Sequence, residues 1–333
     1  GRWSDGNLNA YNTKSWFDSI GANMATHNES QVKELQETAL ENLWVYLREP
    51  SDMAEKGEPQ IFVEGKGVHV TDALGRTFID AMSGLWLKNV GYGRTEIADA
   101  AYEQMLKLTY MPLGTTTEPA VRLAEKIASI TPGDLSRCFF TSGGSEAVET
   151  AIKLCRKWAY EKKGIAQNEA KIIVCENNFH GRTTTIISFS NDPVARKNFG
   201  PYTEGFIKIA YDDIDALEAA LKEENVAGFL VEPIQGEAGV YVPQDGFLAK
   251  ANELCKQNKV LFIADEVQTG IARTGELLAC NYENVNPDIL VLGKAVSGGV
   301  YPVSAVLANN EVMDVIGPGQ HGSTFGGNPL AAK

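Results

Sequence analysis

Residues 288–299 read DILVLGKAVSGG, from Asp288 to Gly299. Ile289, Leu290, Val291 and Leu292 form an unbroken apolar run between Pro287 and Gly293, the pattern of a strand buried on both faces. The run ends on a lysine, Lys294, and an ammonium delivered to the end of a buried strand is rarely without a task. Upstream, Val260-Leu261-Phe262-Ile263-Ala264 has the same design and delivers Asp265, followed by Glu266, Val267 and Gln268. One lysine and one aspartate are thus expected at the same edge of a parallel sheet.

A lysine amine condenses with an aldehyde, and a carboxylate keeps a pyridine nitrogen protonated, so the pair suits pyridoxal 5′-phosphate (PLP). Taken singly, the two residues also fit a snorkelling surface lysine and an aspartate that caps a loop. The choice rests on what else reaches that edge.

Arg137-Cys138-Phe139-Phe140 reads as a short strand running into Thr141-Ser142-Gly143-Gly144-Ser145-Glu146, and helical spacing resumes at Ala147. Strand, glycine turn and helix start aim amide N–H groups and a helix dipole at the turn, which suits a phosphate. The same residues would serve a plain helix N-cap. Lys171 to Cys175 is another strand, followed by Asn178-Phe179-His180-Gly181-Arg182, in which Phe179 could stack on a flat ring and Arg182 could meet a carboxylate. Taken separately, each is more often a turn residue or a satisfied structural histidine. Phe229 to Pro233 is a strand carrying Glu232 at its end, with Gln235-Gly236-Glu237 beyond, and Phe247 to Gln257 is a helix.

Alternation of strand and helix from Arg137 to Leu292 predicts an α/β fold, a mainly parallel sheet sandwiched by helices. Ligands of such sheets sit beyond the carboxyl ends of the strands, where the glycine turn, Phe179, Glu232, Asp265 and Lys294 all fall.

Before this region, Gly1 to Ser30 is polar with Trp3, Tyr11, Trp16 and Phe17 interspersed, and reads as an arm. Gln31 to Arg48 has helical spacing, broken by Pro50 and Pro59. Hairpin signals follow over Ile61–Val63, Val68–Val70 and Phe78–Asp80, with His69 as a strand residue. Ser83-Gly84-Leu85-Trp86 and Gly91-Tyr92-Gly93 form a glycine-bearing region that could line a pocket or simply pack as turns. Glu96–Leu108 and Pro119–Ile130 read as amphipathic helices.

With 333 residues, 44% of them hydrophobic, the chain can form one large α/β domain and a smaller unit. Asp and Glu outnumber Lys and Arg by 43 to 30, a net charge of −13, which disfavours nucleic acid or an anionic membrane as a partner. Cys138, Cys155, Cys175, Cys255 and Cys280 lack the spacings of a zinc site, so no metal is expected, and they read as reduced cytoplasmic thiols. No apolar run approaches a membrane span.

Four blocks in order, VEPIQGEAG (Val231 to Gly239), LFIADEVQTG (Leu261 to Gly270), LGKAVSGG (Leu292 to Gly299) and HGSTFGGNP (His321 to Pro329), resemble the class III PLP-dependent aminotransferases. The resemblance spans Ile61 to the end and implies the fold-type I PLP transferase architecture. It implies that Lys294 carries PLP, Asp265 pairs with the ring nitrogen, Gln268 contacts the ring hydroxyl, Phe179 stacks on the ring, and Gly143, Gly144 and Ser145 hold the phosphate. His180 and Glu232 join this cofactor set. The threonine corresponding to Thr324 reaches the phosphate of the neighbouring subunit, which implies a homodimer with shared active sites. Arg273 is expected to be structural.

From Lys157-Trp158 onward the chain is similar to ornithine aminotransferase, where Arg182 would bind the substrate carboxylate and Glu237 would restrain a distal arginine. DAMSGLWLKNVGYGR (Asp80 to Arg94) and TSGGSEA (Thr141 to Ala147) look more like the omega-amino acid or amine:pyruvate aminotransferases, with Trp86 at the substrate. In domain terms, residues 1–60 would be an arm and helix of a smaller domain and 61–333 the PLP-binding domain. The C-terminal part of the smaller domain, with its distal arginine, would lie beyond Lys333. The expected reaction moves an amino group from an amino donor to a 2-oxo acid. A truncated PLP-binding module, or an aminomutase or decarboxylase on the same scaffold, is the alternative.

Overall fold

The computed structural model describes residues 26–45, 49–57 and 59–333. The aromatics of the expected arm, Trp3 to Phe17, lie outside the described residues. The chain divides into two compact units, after Ala81.

In the first unit a helix runs over Glu29–Asn42, opened by a reciprocal pair in which Asn28 accepts from the Gln31 amide and Gln31 accepts from the Asn28 amide. The expected helix end at Arg48 is not reached, because Leu43 turns extended after closing its bond to Ala39. A second helix covers Pro50–Lys56 and stops at Gly57, whose φ of 66° is left-handed. Strands β1 (Phe62–Lys66), β2 (His69–Asp72) and β3 (Thr77–Ile79) form the expected antiparallel meander. Among the described residues these strands pair only with one another, and they belong to the first unit, whose boundary falls after Ala81.

The second unit is built on a seven-stranded sheet. Its strands are β4 (Arg137–Thr141), β5 (Lys171–Cys175), β6 (Phe206–Ile209), β7 (Val226–Val231), β8 (Leu261–Asp265), β9 (Ile289–Leu292) and β10 (Ser304–Ala308). The spatial order is β4-β10-β9-β8-β7-β5-β6. All neighbours from β9 to β6 pair in parallel, whereas β10 is antiparallel to both β9 and β4. Since β10 opposes both, β4 and β9 run the same way, and six strands deliver their carboxyl ends to one edge.

The apolar runs are continuous because both faces are covered. Along β5, Ile173 and Cys175 join Phe229, Phe262 and Leu290 in one cluster with the helices Ile214–Leu221 and Phe247–Gln257. Ile172 and Val174 join Leu230, Ile263 and Val291 in the other, against the helix Gly144–Trp158. This period-two division between two cores is what a sheet sandwiched by helices requires. Among the described residues, no helix is long and apolar enough to cross a membrane.

Candidate active site

Each chemical group of the site is delivered by a strand end. Strand β8 terminates on Asp265, and β9 is followed by Gly293 and Lys294, which adopts a left-handed φ of 44° as the chain turns away. Glu232 follows β7, which begins at Val226 and ends at Val231 rather than at Pro233. Phe179 and His180 lie beyond β5, and β4 leads into the helix that starts at Gly144.

Eight of the expected cofactor residues, Gly144, Ser145, Phe179, His180, Glu232, Asp265, Gln268 and Lys294, line one cavity of about 170 Å³. Gly181, Ile234 and Val267 complete its wall and were not anticipated as site residues. All three lie inside blocks already singled out in the sequence, but an apolar or glycine neighbour carries no chemical signal of its own.

The centre of the site is a buried pair. His180 Nδ1 lies 2.6 Å from Asp265 Oδ2, with the side chains 0% and 4% exposed, and Asp265 Oδ1 accepts the Val267 amide at 3.0 Å. Burial alone would push the imidazole down, but the hydrogen bond and charge of Asp265 outweigh it, so His180 titrates above its ordinary range. Its other nitrogen, Nε2, is buried without a hydrogen-bond partner among the described residues.

Glu232 accepts the Phe179 amide at 3.0 Å and so fixes the aromatic residue on the rim. Burial pushes its carboxyl up to about 7, against the pull of the neighbouring His180. The Lys294 amine is shifted down, first by burial and also by the positive charge of Arg273, while Asp265, Glu237 and Glu232 oppose the shift. A buried amine biased toward its neutral form is the state a nucleophilic lysine needs.

Two glycines make the arrangement possible. A Cβ on Gly236 would lie 1.2 Å from Gln268 Oε1, so the glutamine amide occupies the space a side chain would fill. Gly181 has a φ of 127°, and a Cβ there would lie 2.1 Å from Ser145 Oγ.

The remaining expected residues fall outside the cavity wall. Gly143 caps the helix just before it, and its amide and that of Ser142 are bonded to the Glu146 carboxylate at 3.1 and 2.8 Å. Arg182 places its guanidinium 5.4 Å from the Phe179 ring centre and 3.7 Å from Asp192. Glu237 is exposed and accepts from Gln268 at 3.4 Å. Trp86 is half-buried with a φ of 64°, in a turn with other left-handed residues. Thr324 is exposed, and its carbonyl accepts from the Tyr110 hydroxyl at 3.0 Å.

The cavity fits PLP by the chemistry of its donors. It offers an amine, a buried carboxylate held by two donors, a flat aromatic, a helix N-terminus beginning with Gly144 and Ser145, and a buried imidazole nitrogen without a partner among the described residues.

Residues 53–333 match the family described as Aminotransferase class-III. The chain belongs to this family. It is 50% identical over 273 residues to the ornithine aminotransferase of Oceanobacillus iheyensis, an alignment covering 82% of this chain and 68% of that protein. Among solved structures it resembles the ornithine aminotransferase of Toxoplasma gondii, which has PLP partly occupied at its active site. The TM-score is 0.84 at 41% identity, with 96% of this chain and 72% of that one covered. A thermostable (S)-enantioselective omega-transaminase from Thermomicrobium roseum gives a TM-score of 0.85 at 32% identity, covering 92% and 73%. Both kinds of aminotransferase resembled by the sequence blocks are thus among its neighbours, on a fold-type I architecture, and PLP is the cofactor of the family.

Proposed function

We propose that this chain catalyses transamination, moving an amino group from ornithine, an omega-amino acid or an amine to a 2-oxo acid in two half-reactions of a ping-pong cycle. The observation that carries the reading is the entry of the Lys294 amine and the Asp265 carboxylate into one cavity from the adjacent strands β9 and β8. When bound, PLP supplies an aldehyde for amines to condense with and a ring that withdraws electrons.

The chain's own residues supply the rest. Lys294 would anchor the cofactor through its amine and, once displaced by the donor, would serve as base and acid, its Nζ taking the proton from the donor's reacting carbon and giving it up to the carbon of the former aldehyde. Asp265 holds a proton on the ring nitrogen, and His180 holds Asp265. Phe179 covers the ring face, Gln268 meets the ring hydroxyl, and Gly143, Gly144 and Ser145 receive the phosphate at the helix N-terminus. Glu232 supports Phe179. Arg182 takes the substrate carboxylate, with Trp86 and Glu237 shaping the substrate's far side.

Thr324 lies outside its own chain's cavity wall, which supports a homodimer in which it serves the partner's site. Five free thiols, four of them buried, support a reducing compartment such as the cytoplasm. The test is Lys294→Ala, assayed with ornithine and a 2-oxo acid. Turnover should disappear while the fold persists; unchanged turnover would contradict the assignment.

A further inference from the structure

Arg273 was expected to be structural, yet it stands at the junction of two segments that frame Lys294. Its guanidinium Nη2 donates to Ser83 Oγ at 3.0 Å and to Asn89 Oδ1. The Asn89 amide in turn donates to the Ile271 carbonyl at 2.6 Å. A closed bracket results, joining both ends of the Ser83–Asn89 segment to the turn at Ile271–Arg273. That turn holds two successive non-glycine residues in left-handed conformations, Ile271 at φ 54° and Ala272 at φ 62°, a costly geometry that persists only where surroundings enforce it.

The same segment also packs against the turn that begins at Lys294. A Cβ on Gly299 would lie 2.6 Å from the Leu87 carbonyl oxygen, and one on Gly298 would lie 3.0 Å from Val90 Cγ2. Gly299 therefore permits an approach to the Leu87 backbone that a side chain would block, and a side chain at Gly298 would have to push back the Val90 methyl. Residues 83–90 thus touch both the Arg273 turn and the lysine turn.

We propose that Arg273 is a positioning residue for Lys294: by bracketing residues 83–90 through Ser83 and Asn89, it holds that segment as a fixed wall against the lysine's turn. The inference rests on the reading of Lys294 as the reacting amine. Arg273 also bears on the amine's charge. Burial lowers the lysine's affinity for a proton and Arg273 adds to this, against the carboxylates of Asp265, Glu237 and Glu232. Arg273 is itself partly desolvated, and its Nε is buried without a partner among the described residues. Its charge is therefore less fully solvated than that of an exposed arginine.

The test uses the full chain, with and without PLP, in Arg273→Met, Arg273→Lys and Asn89→Ala variants. Amide hydrogen exchange is followed in peptides spanning 83–90 and 294–299. The pH midpoint of Lys294 acylation is read by peptide mass in the cofactor-free protein. Arg273→Met and Asn89→Ala should speed exchange in both segments by about tenfold, the factor expected from losing one or two hydrogen bonds. Arg273→Met should also move the midpoint to higher pH, and Arg273→Lys, which keeps the charge, should return it toward the wild-type position. A merely structural role would leave that midpoint where it was.

Unchanged exchange at 294–299 in both Arg273→Met and Asn89→Ala, or a midpoint that does not move in Arg273→Met, would overturn the proposal. If Arg273→Met does not fold, Asn89→Ala carries the exchange test, and a wild-type midpoint in Arg273→Lys supports the charge effect while a raised one overturns it. None of these readouts needs turnover, so they fail independently of the transaminase reading.

Discussion

Replacing Glu232 by glutamine should make the protein more stable at about pH 8 and flatten its stability profile. The Glu232 carboxyl is 7% exposed, and burial raises it from an ordinary 4.5 to about 7. Below pH 4.5 it is protonated in folded and unfolded chains alike and costs nothing. Between 4.5 and 7 the unfolded chain has lost a proton that the folded chain keeps, so stability falls as pH rises. Above 7 the full penalty is present, and at 1.36 kcal/mol per pH unit it reaches up to about 3 kcal/mol. Glutamine keeps an oxygen for the Phe179 amide, so Glu232→Gln removes the charge without removing the contact. Urea denaturation of both proteins at about pH 5, 6, 7 and 8 reads the Glu232 charge together with the smaller changes it induces in its neighbours His180 and Lys294. Wild type should fall progressively behind the variant across that range. Two curves that run parallel, or a variant less stable than wild type at about pH 8, would refute the reasoning.

Gly181→Ala must place a methyl group against Ser145 in a backbone conformation with φ 127°, so it should lower stability by about 2 kcal/mol or more, measured by chemical denaturation. Gly236→Ala collides instead with the end of a flexible side chain, Gln268. Its stability should therefore change by less than about 1.5 kcal/mol, while a spectroscopic titration shows weaker PLP binding. Lys294→Ala should fold normally and bind PLP without the absorbance of a covalent lysine adduct, with the same visible spectrum as the free cofactor as its signature.

Much of this arrangement was legible because it is local. The apolar runs Leu261–Ala264 and Ile289–Leu292 announced strands covered on both faces, and a buried strand must deliver its next polar residue to an edge. Strand β5 and the helix Phe247–Gln257 matched their expected bounds because Asn and Gly punctuate them. Strand β6 went unread: it is a short edge strand interrupted by Lys208, so its pattern is weak. Strand β10 was hidden for another reason. Its insertion between β4 and β9, antiparallel to both, follows from packing between segments far apart in sequence.

The same limit applies to the site. Asp265 and His180 were each recognisable, but their contact joins positions 85 residues apart, and only the folded sheet brings them within 2.6 Å. Arg273 is the clearest case. Its partners Ser83 and Asn89 lie 190 and 184 residues away, so nothing in its own neighbourhood separates a positioning role from a surface one.

The central claim is that Lys294 and Asp265 hold PLP for exchange with an amino donor. The most direct measurement is the visible absorbance of the purified chain with PLP, recorded before and after ornithine and then after an omega-amine. A band absent from Lys294→Ala that bleaches on addition of a donor, and returns with a 2-oxo acid, is the predicted result. A band that forms equally in Lys294→Ala, or one that no donor bleaches, would contradict the account.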